Sequence, residues 1–446
     1  MSELCRVPPH PRLKERQKSQ LAQLTGALGP DSGIRSVTAP EPQSPGLNDG
    51  LIIPGDRFPL GTPLALVRSA ATERAPLRDD VRVIVVLVDF EDQEMEQTKE
   101  HFEELFFSEE VMPHGSVKEY FTEVSKGLIN IVGEVVGPYR LPQTMAAYAH
   151  GESGTGGAEP NARTMSRDAA EAANADVDFG PYDNDGNGFV DAFIVVHAGP
   201  GGEETGSGKD IWSHKWVLPD DPFDADGTQI FAYLTVPEDC RIGVCAHELG
   251  HLIMGWPDLY DADGGSEGVG NWCLMGGGSW NLNGDLPAHP SAWCKVTQGW
   301  VSIENQTSNG SVDIADVKDA ATVHRLWKDG DEGSEYFLVE NRQKAGYDAE
   351  LPGEGLLFWH IDEGIGDNTN DAHYKVALVQ ADGDRHLEGG GNRGDAGDPY
   401  PGESANAELT NTSTPSSKSY GKLDTLVKVT SIPAPSPTMS VDVAVT

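Results

Sequence analysis

Two histidines and a glutamate in the middle of the chain have the spacing of a metal site. Residues 244–255 read VCAHELGHLIMG, so His247, Glu248 and His251 form an H-E-x-x-H motif. Residues four apart lie on one face of a helix, and both imidazoles can therefore reach one zinc ion at about 2 Å. Glu248 is turned by about 100° around the helix axis from His247. Its carboxylate can take the proton of a zinc-bound water, whose pKa the metal lowers toward neutrality.

The residues around this motif fit a buried helix that ends abruptly. Ile242 and Val244 are apolar, and the Gly-Trp-Pro sequence at 255–257 is a strong helix breaker. A catalytic zinc takes a third protein ligand and keeps one position open for water. The candidates for that ligand follow the helix directly: Asp258, Asp261, Asp263 and Glu267.

A second cation motif lies upstream of the histidines. Residues 183–191 read DNDGNGFVD and resemble the first nine positions of a calcium-binding loop. Position twelve is Ile194 instead of glutamate, so a further carboxylate must close the site, and the alternative is an Asx-rich turn before a strand. The ligands in the loop would be Asp183, Asp185, Asn187, the carbonyl of Phe189, and Asp191, with Asp176, Asp178, Glu203 or Glu204 closing it.

Interleaved helix and strand patterns predict an α+β scaffold for these motifs. The apolar run Val81–Phe90 is typical of a strand buried on both faces. Further strands are predicted at 128–136, 189–197 and 229–236, the last as an edge strand, and helices at 14–24, 99–107, 116–125 and 160–175. After residue 301 strand patterns dominate, at 322–327, 336–341, 355–361, 375–380 and 438–445.

The composition excludes some functions. The net charge of −39, with 32 basic residues spread over 446 positions, argues against binding of nucleic acid or of anionic membrane surfaces. No apolar run is long enough to span a bilayer. The acidic turns at 382–384 and 395–398 could hold a cation or be ordinary turns.

Five cysteines occur, at positions 5, 240, 245, 273 and 294. The last four could form two disulfides by three pairings, or remain small buried thiols. Residues 1–20 are polar and basic and lack the apolar core of a signal peptide. This observation favours thiols, because disulfides persist in oxidising compartments.

Several segments in the same order resemble the immune inhibitor A-like family of bacterial metallopeptidases. Besides the histidine motif, they include Pro257–Asp261, Gly268–Met275 and His197–Gly201. The resemblance continues to the C-terminus through segments such as Leu351–Gly355 and His373–Val376. It covers the chain from about residue 80 onward.

The resemblance implies a metzincin-like zincin domain, secreted endopeptidase activity on proteins, and bound zinc and calcium. It implies that Met275 forms the methionine turn beneath the zinc site. One departure concerns the residues after His251, where the glycine comes one position later than in the family pattern. This shift leaves the third zinc ligand open between Glu267 and Asp258.

We therefore predict a zinc-dependent endopeptidase that hydrolyses protein or peptide substrates, with Glu248 activating the zinc-bound water. The predicted parts are a leader or prosegment at 1–80, an α+β zincin catalytic domain at 81–300 and a β-rich domain at 301–446. The alternatives are a non-catalytic, calcium-stabilised binding protein on the same fold and a zinc amidase of another class. The resemblance implies secretion, whereas the missing signal peptide leaves the cytoplasm as the alternative location.

Overall fold

The computed structural model describes residues 5–28, 76–327, 330 and 332–446. Most of the predicted leader, residues 29–75, lies outside this description. The chain divides into two compact units, one with Met1–Glu119 and Asn130–Pro257, the other with Tyr120–Ile129 and Asp258–Thr446. This division falls directly after the histidine helix, whereas the sequence suggested a boundary near residue 300. No helix of the described part is long and apolar enough to cross a membrane.

The first unit is built on a six-stranded sheet. Its strands are β1 Cys5–Arg6, β2 Asp79–Asp89, β3 Ile129–Arg140, β4 Phe193–His197, β5 His214–Val217 and β8 Ala232–Pro237, in the order β1-β5-β8-β4-β2-β3. A separate small hairpin consists of β6 Phe223–Ala225 and β7 Thr228–Ile230. The helices are α1 Pro11–Leu28, α2 Lys99–Phe107, α3 Val117–Val124 (shared with the second unit), α4 Met145–Ala149, α5 Ala162–Ala173, α6 Gly202–Thr205 and α7 Ile242–Met254.

The centre of this sheet is parallel and apolar. Strand β4 pairs in parallel with β2 on one side and with β8 on the other, and β4 and β8 are buried along their whole length. Parallel strands covered on both faces read as continuous apolar runs, which is why β2 and β4 were visible in the sequence. Toward the outside, β5 runs antiparallel to β8, and β1 runs antiparallel to β5.

The prediction that residues 229–236 form an edge strand is wrong. Its first residues belong to the β6–β7 hairpin, and the rest forms β8 in the interior of the large sheet. The alternation that suggested an edge comes from a buried polar residue. The hydroxyl of Thr235 donates to the carbonyl of Val195 at 2.9 Å, so its burial requires no contact with water.

The second unit contains two sheets. One has the strand order β14-β13-β12-β11-β9 and the other β10-β16-β15. The elements are α8 Ala292–Thr297, β9 Ser302–Gln306, β10 Gly310–Ala315, α9 Val317–Ala320, β11 Thr322–Trp327, β12 Glu335–Arg342, β13 Gly355–Asp362, β14 Val376–Leu378, β15 Lys428–Thr430 and β16 Thr438–Ala444. Leu326 of β11 and alternate residues of β12, β13 and β16 form one buried core with Tyr400 and Leu409. The prediction of a mixed α+β chain is confirmed.

Candidate metal centre

Helix α7 carries the histidine motif and is buried along its whole length. Its sequence is apolar on all sides except for the motif, and a helix of this kind is buried in the interior. The motif side chains are therefore buried with it. The helix ends at Gly255, whose φ of 66° is in the left-handed region that glycine tolerates best. The N–H groups of Gly255 and Trp256 both donate to the carbonyl of Gly250. This wide last turn folds the chain back on itself.

The two histidines converge on one point. The Nε2 atoms of His247 and His251 are 3.0 Å apart, and both side chains are fully buried. Nδ1 of His251 lies 2.6 Å from the carbonyl oxygen of Trp256. A carbonyl can only accept a hydrogen bond, so Nδ1 of the neutral ring carries the proton and Nε2 keeps its lone pair. This is the tautomer that a metal ligand needs.

Asp258 completes a set of three donor atoms. One carboxylate oxygen of Asp258 and one ring nitrogen from each of His247 and His251 lie within 4.8 Å of one another. The Asp258 side chain is buried, and the N–H of Leu259 after it donates to the carbonyl of Met275 at 2.8 Å. Two imidazoles and a carboxylate form a donor set that zinc uses in catalytic sites. The residues at this position therefore fit a zinc ion.

Glu267, the other candidate for third ligand, has a different partner. Its Oε2 lies 3.4 Å from Nε of Arg393, and its N–H donates to the carbonyl of Leu387. The carboxylate is buried, and a buried carboxylate requires a compensating charge or donors. Arg393 supplies that charge. The three-donor set contains Asp258 and does not include Glu267.

The remaining motif residues are also in the interior. Glu248 follows His247 on α7 and is fully buried. Met275 is fully buried as well, and its carbonyl holds the residue after Asp258.

The predicted calcium loop brings three carboxylates together. Oxygens of Asp183, Asp185 and Asp191 lie within 4.8 Å of one another. The loop is shaped by its own side chains: the N–H of Gly188 donates to Asp183 at 2.9 Å, and Oδ1 of Asn187 accepts from the N–H of Phe189 at 2.8 Å. The arrangement fits a hard cation, which takes oxygen ligands.

Of the four carboxylates considered for closing this loop, Glu203 has a clear role elsewhere. Its two oxygens accept from the hydroxyl and the N–H of Ser213, at 2.5 and 2.9 Å. Asp176 accepts from the hydroxyl of Tyr139, and Asp178 accepts from the N–H of Gly180.

The acidic turns at 382–384 and 395–398 form a cluster in the second unit. Donor atoms of Asp382, His386 and Asp395 lie within 4.8 Å of one another. Asp395 also accepts from the amide of Asn392 at 2.6 Å, and its Oδ2 lies 3.3 Å from Nδ1 of His386. Asp395 thus has an imidazole and an amide as partners within the cluster.

Comparison with protein families identifies the family of this chain. A sequence profile described as the immune inhibitor A peptidase M6 catalytic domain matches residues 72–305, just over half of the chain. The chain belongs to this peptidase family. The matched range includes the histidine helix, Asp258, the predicted calcium loop and Met275.

Two relatives are similar to this chain in sequence. Immune inhibitor A of Bacillus thuringiensis subsp. alesti is 34% identical over 223 residues, which covers 41% of this chain and 32% of that protein. Pre-pro-metalloprotease PrtV of Vibrio cholerae serotype O1 is 30% identical over 289 residues, with coverages of 51% and 31%. This chain thus spans about a third of the length of each relative.

Sequence reasoning did not foresee two features of this region. The first is the contact of the Trp256 carbonyl with His251, which depends on the backbone turn and leaves no pattern in residue types. The second is the pairing of β1 with β5, because a two-residue strand is too short to show an alternation.

Proposed function

We propose that this protein is a zinc-dependent endopeptidase that cleaves protein substrates. The observation that carries the proposal is the convergence of His247, His251 and Asp258 in a buried site, with Glu248 next to the first histidine on the same helix. Membership of a peptidase family, through the profile of its catalytic domain, supports the same reaction class. The Vibrio relative is named as a metalloprotease.

The proposed ligands are His247, His251 and Asp258. A zinc ion held there supplies a water molecule of lowered pKa and an electrophile for the scissile carbonyl. Glu248 accepts the proton of the attacking water at a carboxylate oxygen and delivers it to the nitrogen of the leaving amine. Its burial excludes bulk water, which strengthens electrostatic interactions within the site.

Two backbone contacts position the ligands. The carbonyl of Trp256 orients the ring of His251, and a misplaced ligand weakens metal affinity by about 10- to 100-fold. The carbonyl of Met275 holds Leu259, the neighbour of Asp258. We assign Met275 as the methionine turn of the proposed zincin domain on the basis of this contact and its burial.

The experiment that tests the function is casein degradation by the purified chain, with zinc content measured on the same sample. We expect cleavage together with about one zinc per chain, and we expect Glu248→Ala to retain zinc and lose cleavage. A zinc-loaded, folded chain that binds casein without cleaving it would favour the binding-protein alternative. Cleavage confined to small amides would favour the amidase.

We also propose that the loop at 183–191 binds one calcium ion with a structural role. Three converging carboxylates support this assignment, because like charges this close destabilise the loop unless a cation compensates them. Asn187 and the carbonyl of Phe189 remain the proposed additional ligands. A cation there would fix the chain immediately before β4.

The described part of the leader supports a prosegment role. Strand β1 occupies the outer side of β5, where Cys5 pairs with Lys215 and Arg6 with His214. The N–H of Val7 donates to Ser213, and the indole of Trp212 donates back to the carbonyl of Val7 at 2.8 Å. An extended peptide can add to a free sheet edge in this way. We propose that the leader blocks this edge against substrate until it is displaced.

Secretion is part of the same proposal. The Vibrio relative is by its name a pre-pro-metalloprotease, which supports an exported protein with a removable segment. Fractionation of the producing cells, with immunodetection in the medium and in the cell pellet, tests this point. Detection in the pellet alone would contradict it.

A further inference from the structure

The cysteines at 240, 245, 273 and 294 lie as two facing pairs. The Sγ atoms of Cys240 and Cys245 are 3.4 Å apart, and the thiols of Cys273 and Cys294 form a hydrogen bond with each other. All four side chains are buried. We propose that the mature protein contains two disulfide bonds, Cys240–Cys245 and Cys273–Cys294.

The positions of Cys240 and Cys245 at the start of α7 support the first disulfide. Arg241 is the N-cap of this helix, so Cys240 stands just before the cap and Cys245 is the fourth helical residue. Side chains at these two positions meet in many helices, where apolar residues form a staple between the helix and the incoming chain. A disulfide here makes that staple covalent. The S–S bond length is about 2.05 Å, and the two sulfurs already lie in contact at 3.4 Å.

The second pair connects the Met275 segment to the start of α8. Ser291 is the N-cap of α8, and its hydroxyl accepts from the N–H of Cys294 at 3.3 Å. The N–H of the same serine donates to Sγ of Cys273 at 3.1 Å. The helix start thus holds the two thiols against each other.

The electrostatics of Cys273 favour this reaction. Burial acts to raise the pKa of its thiol, but hydrogen bonds from Cys294 and from the backbones of Met275 and Ser291 outweigh it and lower the pKa to about 7. The thiolate is the attacking form in thiol–disulfide exchange.

Each bond forms by two exchange steps with a small-molecule disulfide or a thiol–disulfide oxidoreductase as oxidant. One cysteine thiolate attacks a sulfur of the oxidant, which gives a mixed disulfide and releases one thiolate. The second cysteine loses its proton, attacks the cysteine sulfur of the mixed disulfide and releases the second thiolate. Two cysteine thiols lose two protons and two electrons, and the oxidant is reduced to two thiols.

The two bonds would restrain two segments that are linked to proposed metal ligands. Cys245 precedes His247 by two residues, so the first bond ties the start of the histidine helix to the preceding chain. Cys273 precedes Met275 by two residues, so the second bond ties the segment that holds Leu259. This inference does not depend on the proposed peptidase activity, because thiol content is measured directly.

The experiment is a thiol count on the full chain. The reduced, denatured chain is refolded with a mixture of reduced and oxidised glutathione, quenched with acid and alkylated with N-ethylmaleimide in denaturant without reduction. Because the chain has five cysteines, the proposal predicts one maleimide per chain, on Cys5. Reduction before alkylation should give five. Peptide mapping should recover the 240–245 and 273–294 linkages.

Variants separate the pairs and provide the control. Cys240→Ser should expose one partner, so that maleimide is found on Cys5 and Cys245 while the other pair stays protected. Cys273→Ser should do the same for Cys294, and Cys5→Ser should leave no alkylated position. A folded, refolded chain carrying five maleimides would overturn the proposal. Linkage of Cys240 to Cys273 or to Cys294 would overturn the pairing. Three maleimides, on Cys5 and on both cysteines of one pair, would disprove the disulfide of that pair.

Discussion

The carbonyl oxygen of Trp256 lies 2.6 Å from Nδ1 of His251. This contact exists because α7 ends in a wide turn, in which the N–H groups of Gly255 and Trp256 share the carbonyl of Gly250. The same turn leads into Asp258 two residues later. One backbone turn therefore fixes the tautomer of His251 and leads the chain to Asp258, the next proposed ligand.

Removing the proposed general base should abolish hydrolysis without removing the metal. For Glu248→Gln we expect kcat/KM on a fluorogenic peptide to fall by at least about 100-fold, because general-base catalysis contributes about 10²- to 10⁴-fold. Zinc content should not change. Glu203→Gln is the matched control, since it also replaces a buried carboxyl, and its kcat/KM should stay near that of the native protein. Equal losses in both variants would contradict the role of Glu248.

The two candidates for the third zinc ligand can be separated by metal affinity. Asp258→Asn should weaken zinc binding by at least about 100-fold, because a neutral amide replaces an anionic oxygen ligand. Glu267→Gln should retain zinc, although loss of its ion pair with Arg393 lowers stability. The measurement is zinc content after dialysis against a zinc-buffering chelator. The reverse ranking would assign the ligand to Glu267.

Calcium should stabilise the folded chain through the loop at 183–191. At a calcium concentration about 100 times Kd, binding to the folded state alone contributes about 2.7 kcal/mol to the free energy of unfolding. Asp183→Asn and Asp191→Asn should each remove most of this gain in thermal unfolding. Asp221→Asn, an exposed aspartate, should leave it unchanged. A calcium effect that persists in both loop variants would contradict this assignment.

Glu203 should give the protein a pH-dependent stability. Burial raises the pKa of its carboxyl to about 7, against the hydrogen bonds from Ser213 that lower it. In the unfolded chain this carboxyl ionises near its ordinary pKa of 4.5. The stability that the neutral carboxyl contributes is therefore fully present below that pH and is lost as pH rises through about 7. The free energy of unfolding lost over this range is about 3 kcal/mol, at about 1.36 kcal/mol per pKa unit.

The test compares the native protein with Glu203→Gln, whose amide does not ionise. The difference in free energy of unfolding, native minus variant, should fall from about pH 4 to about pH 8 and then level off. A constant difference over this range would show that the carboxyl titrates alike in both states.

Weakening the β1–β5 contact should increase peptidase activity if the leader blocks the edge. Val7→Pro removes the N–H that donates to the carbonyl of Ser213, and proline cannot replace that donor. Val7→Ala keeps the N–H and is the control. We expect a higher initial rate of casein cleavage for Val7→Pro only. Equal rates in the two variants would contradict the blocking role.

The sequence was informative where burial imposes a period or a run. The limits of α2 were predicted without error, at Lys99–Phe107, and those of β11 at Thr322–Trp327. Helix α7 was visible because apolar residues flank its motif and Gly255 ends it. Strand β8 was misread as an edge because the hydroxyl of Thr235 finds its partner inside the sheet.

The geometry of the candidate site was less accessible from the sequence. Helical spacing predicts that His247 and His251 share a face, and the structure brings their Nε2 atoms to 3.0 Å. A choice between Asp258 and Glu267 requires the path of the chain after the helix, which depends on backbone hydrogen bonds. The partner of Glu267, Arg393, is also more than a hundred positions away in the sequence.

The pairing of β1 with β5 has a kinetic consequence. Because the leader is part of the same chain, it competes for the sheet edge at an effective concentration in the range of about millimolar, whatever the protein concentration. Cutting the connection would convert this internal competitor into a separate peptide that dilution removes. The freed peptide would keep its contacts with Lys215, His214, Ser213 and Trp212 but would lose the advantage of the connection. One cleavage followed by dilution would therefore act as a release.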